Sequence, residues 1–521
     1  MDAGVAREDD KKDVGIDNVV SPEKGEGEII SLAALGLEQE TRRNISGFAI
    51  IGAAWNICNC WAGVAATSVI GITQGGTVVV LYGLIVVLVL DGATILTLAE
   101  LASVYPTAGG QYHWTSILSP PSVSKGLSYV CGATNIFGWI ATSAGIAIIP
   151  AQITFAIAVF FDGDYEASRW KVFLLYQAFN LLFMANNIFY LKRSIWVHNI
   201  GLLISLGFVI IIFISCLALA PTENSSTFVW STYVNLSNGW PDGLVFFFGL
   251  VNPTYASSGI DGALHLAEEC ANAAVAVPRA LMWTLVLGFV SAFPFMIAML
   301  YCIQDLDAVL GTPTGQPMYE LWYQATSSKA AATVFISILL LGGFFALNAA
   351  QQTASRLTWA FARDNGLIFS QYLSRIHLRY EVPVWSLLFN AFVVFLMGFV
   401  YLGSTTAFNA LIGSGLILQQ ITFAVPAGLL MWQKRSATFS AKDKVISASR
   451  RCRMGRKYSD SFVRLDGARF LRLSLSFARD WEYNEYVSTL SRYAQSVISD
   501  VGANSLQIIQ VWFWERWPYL L

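Results

Sequence analysis

The sequence predicts an all-α integral membrane protein of about ten transmembrane helices, and three observations predict it. Of 521 residues, 55% are apolar and only 13% charged, against roughly 25% charged in an ordinary soluble domain, so most of the surface cannot face water. Ten stretches are long and apolar enough to cross a hydrocarbon core, which takes roughly 20 residues. Their interiors are dense in Gly, Ala and Ser, as in "GWIATSAGIAIIPA" and "LLLGGFFALNAAQQTAS". Small residues let backbones approach closely where no hydrophobic effect drives one helix onto another.

Taken in order, residues 1–44 read as a disordered cytosolic tail, because "REDDKKDVGIDNVVSPEKGEGE" cannot bury enough apolar area to offset its ordering entropy. No short apolar run precedes a small-residue cleavage site, so no cleaved signal peptide is expected. A transmembrane domain follows over 45–433. Its expected spans lie near 46–70, 77–99, 125–160, 170–190, 196–220, 243–263, 279–302, 330–360, 384–402 and 406–432. With the N-terminus in the cytosol, Arg42, Arg43, Lys125, Lys192, Arg193, Arg279, Arg363, Arg375 and Arg379 lie inside, and mainly Arg169, Lys171 and Lys329 outside. That bias favours the N-in orientation. It exposes the sequons at Asn224 and Asn235 outside, a weak signal.

The spans divide into two groups of five, over about 46–220 and 243–432, and each group opens on a segment interrupted by Gly and small polar residues. Such pairing predicts an inverted repeat with the substrate site at the interruptions. The first segment is "SGFAIIGAAWNICNCWAG"; the sixth is "GLVNPTYASSGIDGALHLAEE", where Pro253, Gly259 and Gly262 weaken a continuous helix. A substrate carboxylate would need free backbone N–H groups at the first interruption, placed around Gly47 to Ala53.

From residue 434 the character changes, with thirteen Lys or Arg between Lys434 and Arg479 and no later run long enough to span. Residues 434–521 therefore read as an atypical basic cytosolic tail, of the kind a frame-shifted or unspliced gene model would produce. The closing "QIIQVWFWERWPYLL" is too short to cross and is at most interfacial.

Composition and motifs exclude several classes. The formal charge of −2 gives no field for a nucleic-acid partner. The chain has no P-loop, nucleophile elbow or HExxH motif to support ATP-driven pumping or enzymatic hydrolysis. No cofactor is implied. Cys58, Cys60, Cys131, Cys216, Cys270 and Cys302 fall in or beside apolar segments and are expected to be free, packed thiols. His113 and His265 have no neighbour at ligand spacing, so no metal is expected.

Several motifs stand in a fixed order: "PTAGGQYHW" (106–114), "LAPTENSSTFVW", "GLVNPTYASSGIDGALHLAEE" (249–269), "TPTGQPMYELW", "TASRLTWAFARDNGL" (353–367) and "GSTTAFNALI" (403–412). On these the chain resembles fungal members of the amino acid–polyamine–organocation (APC) superfamily over about residues 40–435. Within that superfamily it resembles choline permeases first and 4-aminobutyrate permeases next. The resemblance implies a LeuT-like five-plus-five inverted repeat and proton-driven uptake across the plasma membrane. It also implies twelve spans, of which this chain lacks the usual last two.

An ionisable group inside a membrane is costly, so each is a functional candidate. Asp261 follows Gly259 in the interrupted sixth span, where the resemblance places an acidic residue. It either pairs with a substrate cation or takes up the coupled proton, or else caps the resumed half-helix. Asp91, an isolated acid in the second span, is a second proton candidate. A quaternary ammonium has no N–H to donate and needs aromatic faces, which makes Trp55, Tyr255, Phe344 and Phe345 candidates. Asn56 and Asn252 offer polar contacts, with interhelical hydrogen bonding as their bland role. Glu100, Glu268 and Glu269 with Arg356 and Arg363 sit towards the cytosolic ends of spans, as gating ion pairs or as plain surface pairs.

The sequence thus points to a proton-coupled importer of a small amine, choline first, embedded in lipid. An amino acid or 4-aminobutyrate is the alternative substrate, and a non-transporting sensor or nonfunctional remnant the alternative class.

Overall fold

A computed structural model describes Thr41, Arg43 and residues 45–190, 196–236 and 239–433. The rest of the expected N-terminal tail, the basic tail from 434, Lys192, Arg193 and Ser237 of the second sequon lie outside the described residues. Among the described residues, nine helices are long and apolar enough to cross a membrane: Gly47–Ala66, Gly76–Val104, Ser124–Phe161, Arg169–Phe189, Trp196–Leu219, Ala273–Cys302, Lys329–Arg363, Val384–Gly403 and Thr405–Trp432. They correspond in order to expected spans one to five and seven to ten.

The sixth span, expected near 243–263 and weakened at Pro253, Gly259 and Gly262, is interrupted. It is divided into the short helices Asp242–Gly249, Val251–Thr254 and Gly262–His265, with turns between. Pro253 has no N–H to give the ladder. Gly259 takes φ +75, and a Cβ there would lie 2.5 Å from Ile57 of span one. Gly262 is pressed against the same Ile57, again at 2.5 Å. Only residues without side chains allow the two interrupted spans to touch here.

The first span is also interrupted, but at Asn59 rather than around Gly47 to Ala53. Ser46 caps the helix by accepting from the Ala49 N–H at 3.2 Å, and the ladder runs unbroken from Gly47 to Cys58. Asn59 then adopts φ 31, ψ 57, and a second helix runs over Cys60–Ala66. Asn tolerates this left-handed conformation better than other residues with a side chain. Gly52 serves contact instead, since a Cβ there would lie 2.7 Å from the His198 carbonyl oxygen of span five.

Buried apolar side chains form two large cores. One joins spans one, two, five and seven around Trp61, Phe295 and Met299; the other joins spans three, four, eight, nine and ten around Trp139, Tyr176 and Phe408. On the outside of span five, Leu203, Ile210 and Ile214 are 57–61% exposed along one helix face, the arrangement a lipid-facing surface requires. At one end of the bundle, Ile45 pairs in parallel with Cys270 beyond span six. At the other, Gln74 pairs with Asn235.

Candidate functional site

A cavity of about 450 Å³ opens where spans one and six lose their regular backbone bonding, bounded also by spans three, eight and ten. It extends to Val69, Ile70, Gly315 and Pro317 at the end of the bundle carrying Gln74 and Asn235. Its polar lining includes Asn59, Thr67, Thr142, Gln152, Tyr255, Ser258 and Asn409. The described lining holds no carboxylate and no basic side chain. Ile57, Cys58 and Asn59 face it, so the C-terminal, carbonyl end of the helix Gly47–Cys58 points at this space. That end carries partial negative charge and favours a cation. Asn59 is held in place by accepting at 2.7 Å from Ser205, whose oxygen in turn accepts from the Trp61 indole at 2.9 Å.

Of the residues expected to meet substrate, Tyr255 lines this cavity, and it is the one aromatic ring among the described lining. Trp55 is fully buried in the first core. Asn56 donates at 3.0 Å to the His198 carbonyl, its bland role. Asn252 binds the Val64 carbonyl and the Thr67 hydroxyl, joining span six to the segment after the break in span one. Phe344 packs edge-on against Phe179 and at a tilt against Phe183 of span four, and neither it nor Phe345 belongs to the lining. The reason is helical phase. Span eight turns Leu339, Gly342, Gly343 and Ala346 to the cavity, and residues one position off that stripe point about 100° away.

Asp261 is likewise not among the residues that line this cavity. It is fully buried behind Ile57, with Oδ2 accepting from Gln111 at 2.8 Å and from Trp139 at 3.2 Å. The same oxygen lies 3.2 Å from His265 Nε2. Asp261 occupies the N-cap position of Gly262–His265, but its side chain makes no capping hydrogen bond. Gln111 and Trp139 were not anticipated from sequence; His265 stands four residues after Asp261, a helical neighbour spacing that was there to be read.

The ion pairs sit at the end of the bundle near Ile45. Arg363 donates to both oxygens of Glu268 at 2.9 Å, and Arg356 Nε donates to Glu269 at 2.6 Å. Glu268 also accepts the Ala108 N–H at 3.1 Å, and Thr41 donates to the Glu268 carbonyl. Glu100 is exposed and belongs to neither pair. Asp91 accepts a hydrogen bond from Ser257, which ties span two to the irregular part of span six.

Two broken spans meeting over a central chamber is the architecture of a secondary transporter. The family described as amino acid permease matches residues 45–449. This chain belongs to that family. The permease is 32% identical to the choline transporter of Saccharomyces cerevisiae over 428 residues, covering 82% of this chain and 76% of that protein. It is 32% identical to the transmembrane transporter swnT of Metarhizium robertsii over 409 residues, covering 76% of this chain and 78% of that one. Among solved structures, MhsT in complex with L-phenylalanine matches with a TM-score of 0.52, covering 76% of this permease and 91% of that chain. At 16% identity that likeness speaks for the fold alone. The permease is thus a multi-pass membrane transporter of the LeuT-like fold.

Proposed function

We propose that this permease imports a small amine, choline first, together with a proton. The assembly of spans one, two, six and seven would rock against the remainder around the central cavity. The plasma membrane, with the N-terminus in the cytosol, is the proposed setting. The observation that carries the amine is the carbonyl end of Gly47–Cys58 facing a lining without basic residues. A cation gains there from the helix dipole, and Tyr255 adds an aromatic face for methylated nitrogen. The name of the yeast relative agrees with choline.

A substrate that also bears a carboxylate, 4-aminobutyrate or another amino acid, is the second reading. Amide and hydroxyl donors on Asn59, Gln152, Ser258 and Asn409 favour it.

The test is labelled choline uptake by yeast lacking its own choline uptake, with the permease shown at the cell surface. Saturable uptake that collapses with a protonophore and weakens in Tyr255→Ala is expected. Uptake of 4-aminobutyrate instead of choline would favour the second reading. Surface protein without saturable flux of any amine would leave a non-transporting sensor.

A further inference from the structure

We propose that Asp261 and His265 share one proton in this conformation and together form the site that carries the coupled proton. The inference rests on the proton-driven reading above and adds to it a partner and a control point. It comes from counting donors and acceptors around a closed cluster.

His265 Nδ1 lies 2.8 Å from the Ala108 carbonyl oxygen. A carbonyl only accepts, so Nδ1 carries the hydrogen. The other ring nitrogen faces Asp261 Oδ2 at 3.2 Å. A neutral ring protonated at Nδ1 would turn a lone pair towards a carboxylate lone pair, a repulsive contact between two fully buried side chains. One more proton lies on that edge, either as imidazolium donating to carboxylate or as carboxylic acid donating to imidazole. Both forms leave the pair with no net charge. Burial agrees: both side chains are fully buried, and Asp261 Oδ1 has no hydrogen-bond partner, a poor setting for a carboxylate carrying its charge alone.

The surroundings close the count. Gln111 reaches Asp261 from the short helix after span two and Trp139 from span three, while Ile57 of span one and Thr353 of span eight lie against Gly262, next to the pair. Cys58 of span one is the ionisable group there that feels the Asp261 charge. The charges of Glu268 and Arg363 connect to the pair through Ala108, whose N–H binds Glu268 while its carbonyl binds His265. Gly110, which stands beside the ring, takes φ +52, a conformation that a side chain would strain.

In the proposed cycle, opening the end of the bundle near Ile45 parts Glu268 from Arg363, and Ala108, hydrogen-bonded to Glu268, moves with it. The Nδ1 hydrogen then loses its fixed acceptor, and water enters. The shared proton passes to that water, leaving a neutral imidazole and a carboxylate with one net negative charge. Closing restores the Ala108 contact and the demand for a proton. His265 is here a proton-carrying and positioning residue and does not touch substrate.

The experiment uses the full chain in proteoliposomes, with two readouts for labelled choline: accumulation driven by a pH gradient, and choline–choline exchange without one. In His265→Gln and Asp261→Asn, gradient-driven accumulation is expected to be lost and the pH dependence of exchange flattened, while exchange itself falls far less. Retention of gradient-driven accumulation with the wild-type pH profile in His265→Gln overturns the proposal. Wild type that exchanges choline but never responds to the gradient overturns the proton-driven reading, and wild type without amine exchange overturns the transport reading. Should both variants fail to fold, proton release or uptake on adding choline to weakly buffered wild-type protein decides: a pH change supports the shared proton, and none overturns it.

Discussion

Arg363 and Glu268 form a two-pronged ion pair, with both guanidinium–carboxylate hydrogen bonds at 2.9 Å and the Glu268 side chain only 1% exposed. Removing one partner of such a pair leaves the other charge buried and unmatched, which costs about 2–5 kcal/mol. Arg363→Ala is therefore expected to lower the melting temperature in detergent markedly. The double change Glu268→Gln with Arg363→Gln should be less damaging than Arg363→Ala alone, and a larger loss in the double would count against the pair. Arg363→Lys keeps the charge but not the fork, and should fall between wild type and Arg363→Ala.

Spans one and five touch through Gly52. A Cβ there would meet the backbone oxygen of His198 at 2.7 Å, and backbone cannot step aside as a side-chain tip can. Gly52→Ala should cost about 1–3 kcal/mol as overpacking, read as thermal stability. Gly207→Ala on span five, where a Cβ meets nothing within 4 Å, is the matched control and should change little.

Gly413 lines the cavity, and a Cβ on it meets nothing within 4 Å. Gly413→Leu should fill the chamber without disturbing the bundle, so surface level stays normal while saturable uptake disappears. Gly428→Leu also enters open space but away from the cavity, and should transport normally. Equal uptake in both variants would mean that this cavity is not the substrate site.

Asn59 holds a left-handed conformation that breaks the first span. A β-branched residue there carries a penalty of about 1–2 kcal/mol or more, whereas Gly adopts the conformation freely. Asn59→Val should reduce folded protein, and Asn59→Gly should fold but lose the tether to Ser205. A normal yield of folded Asn59→Val would show that the break does not depend on this residue.

His113, on the short helix after span two, is held below the ordinary pKa of 6.5, first by burial and then by Arg363, with Asp364 and Glu268 opposing. The folded state thus binds this proton less readily than the unfolded chain. Its stabilisation is complete above 6.5 and is lost as the pH falls from there towards the folded value. Thermal stability should drop on acidification through that window, and His113→Gln should drop less. Identical profiles would remove His113 from the acid response.

Much of the bundle was legible in the chain. Apolar runs locate nine of its spans, and Pro253, Gly259 and Gly262 marked the interruption of the sixth. Glu268 and Glu269 with Arg356 and Arg363 were recognisable as candidate pairs, although their matching needed coordinates. The break in span one was harder to place, because the glycines at 47 and 52 look like the weak point. The helix runs through both, Gly52 serves close contact with span five instead, and a single asparagine makes the break.

The sequence by itself determined that lipid must be the solvent and that two spans must be irregular, because length, hydropathy and backbone freedom are local properties. Only the tertiary structure decided which faces meet the cavity. Phe344 and Trp55 are apolar wherever they point, and a rotation of about 100° per residue separates a lining position from a packed one. It alone also placed Asp261 against Gln111 and Trp139, and its helical neighbour His265 against Ala108. Those partners lie more than a hundred residues away along the chain, and only folding brings them together.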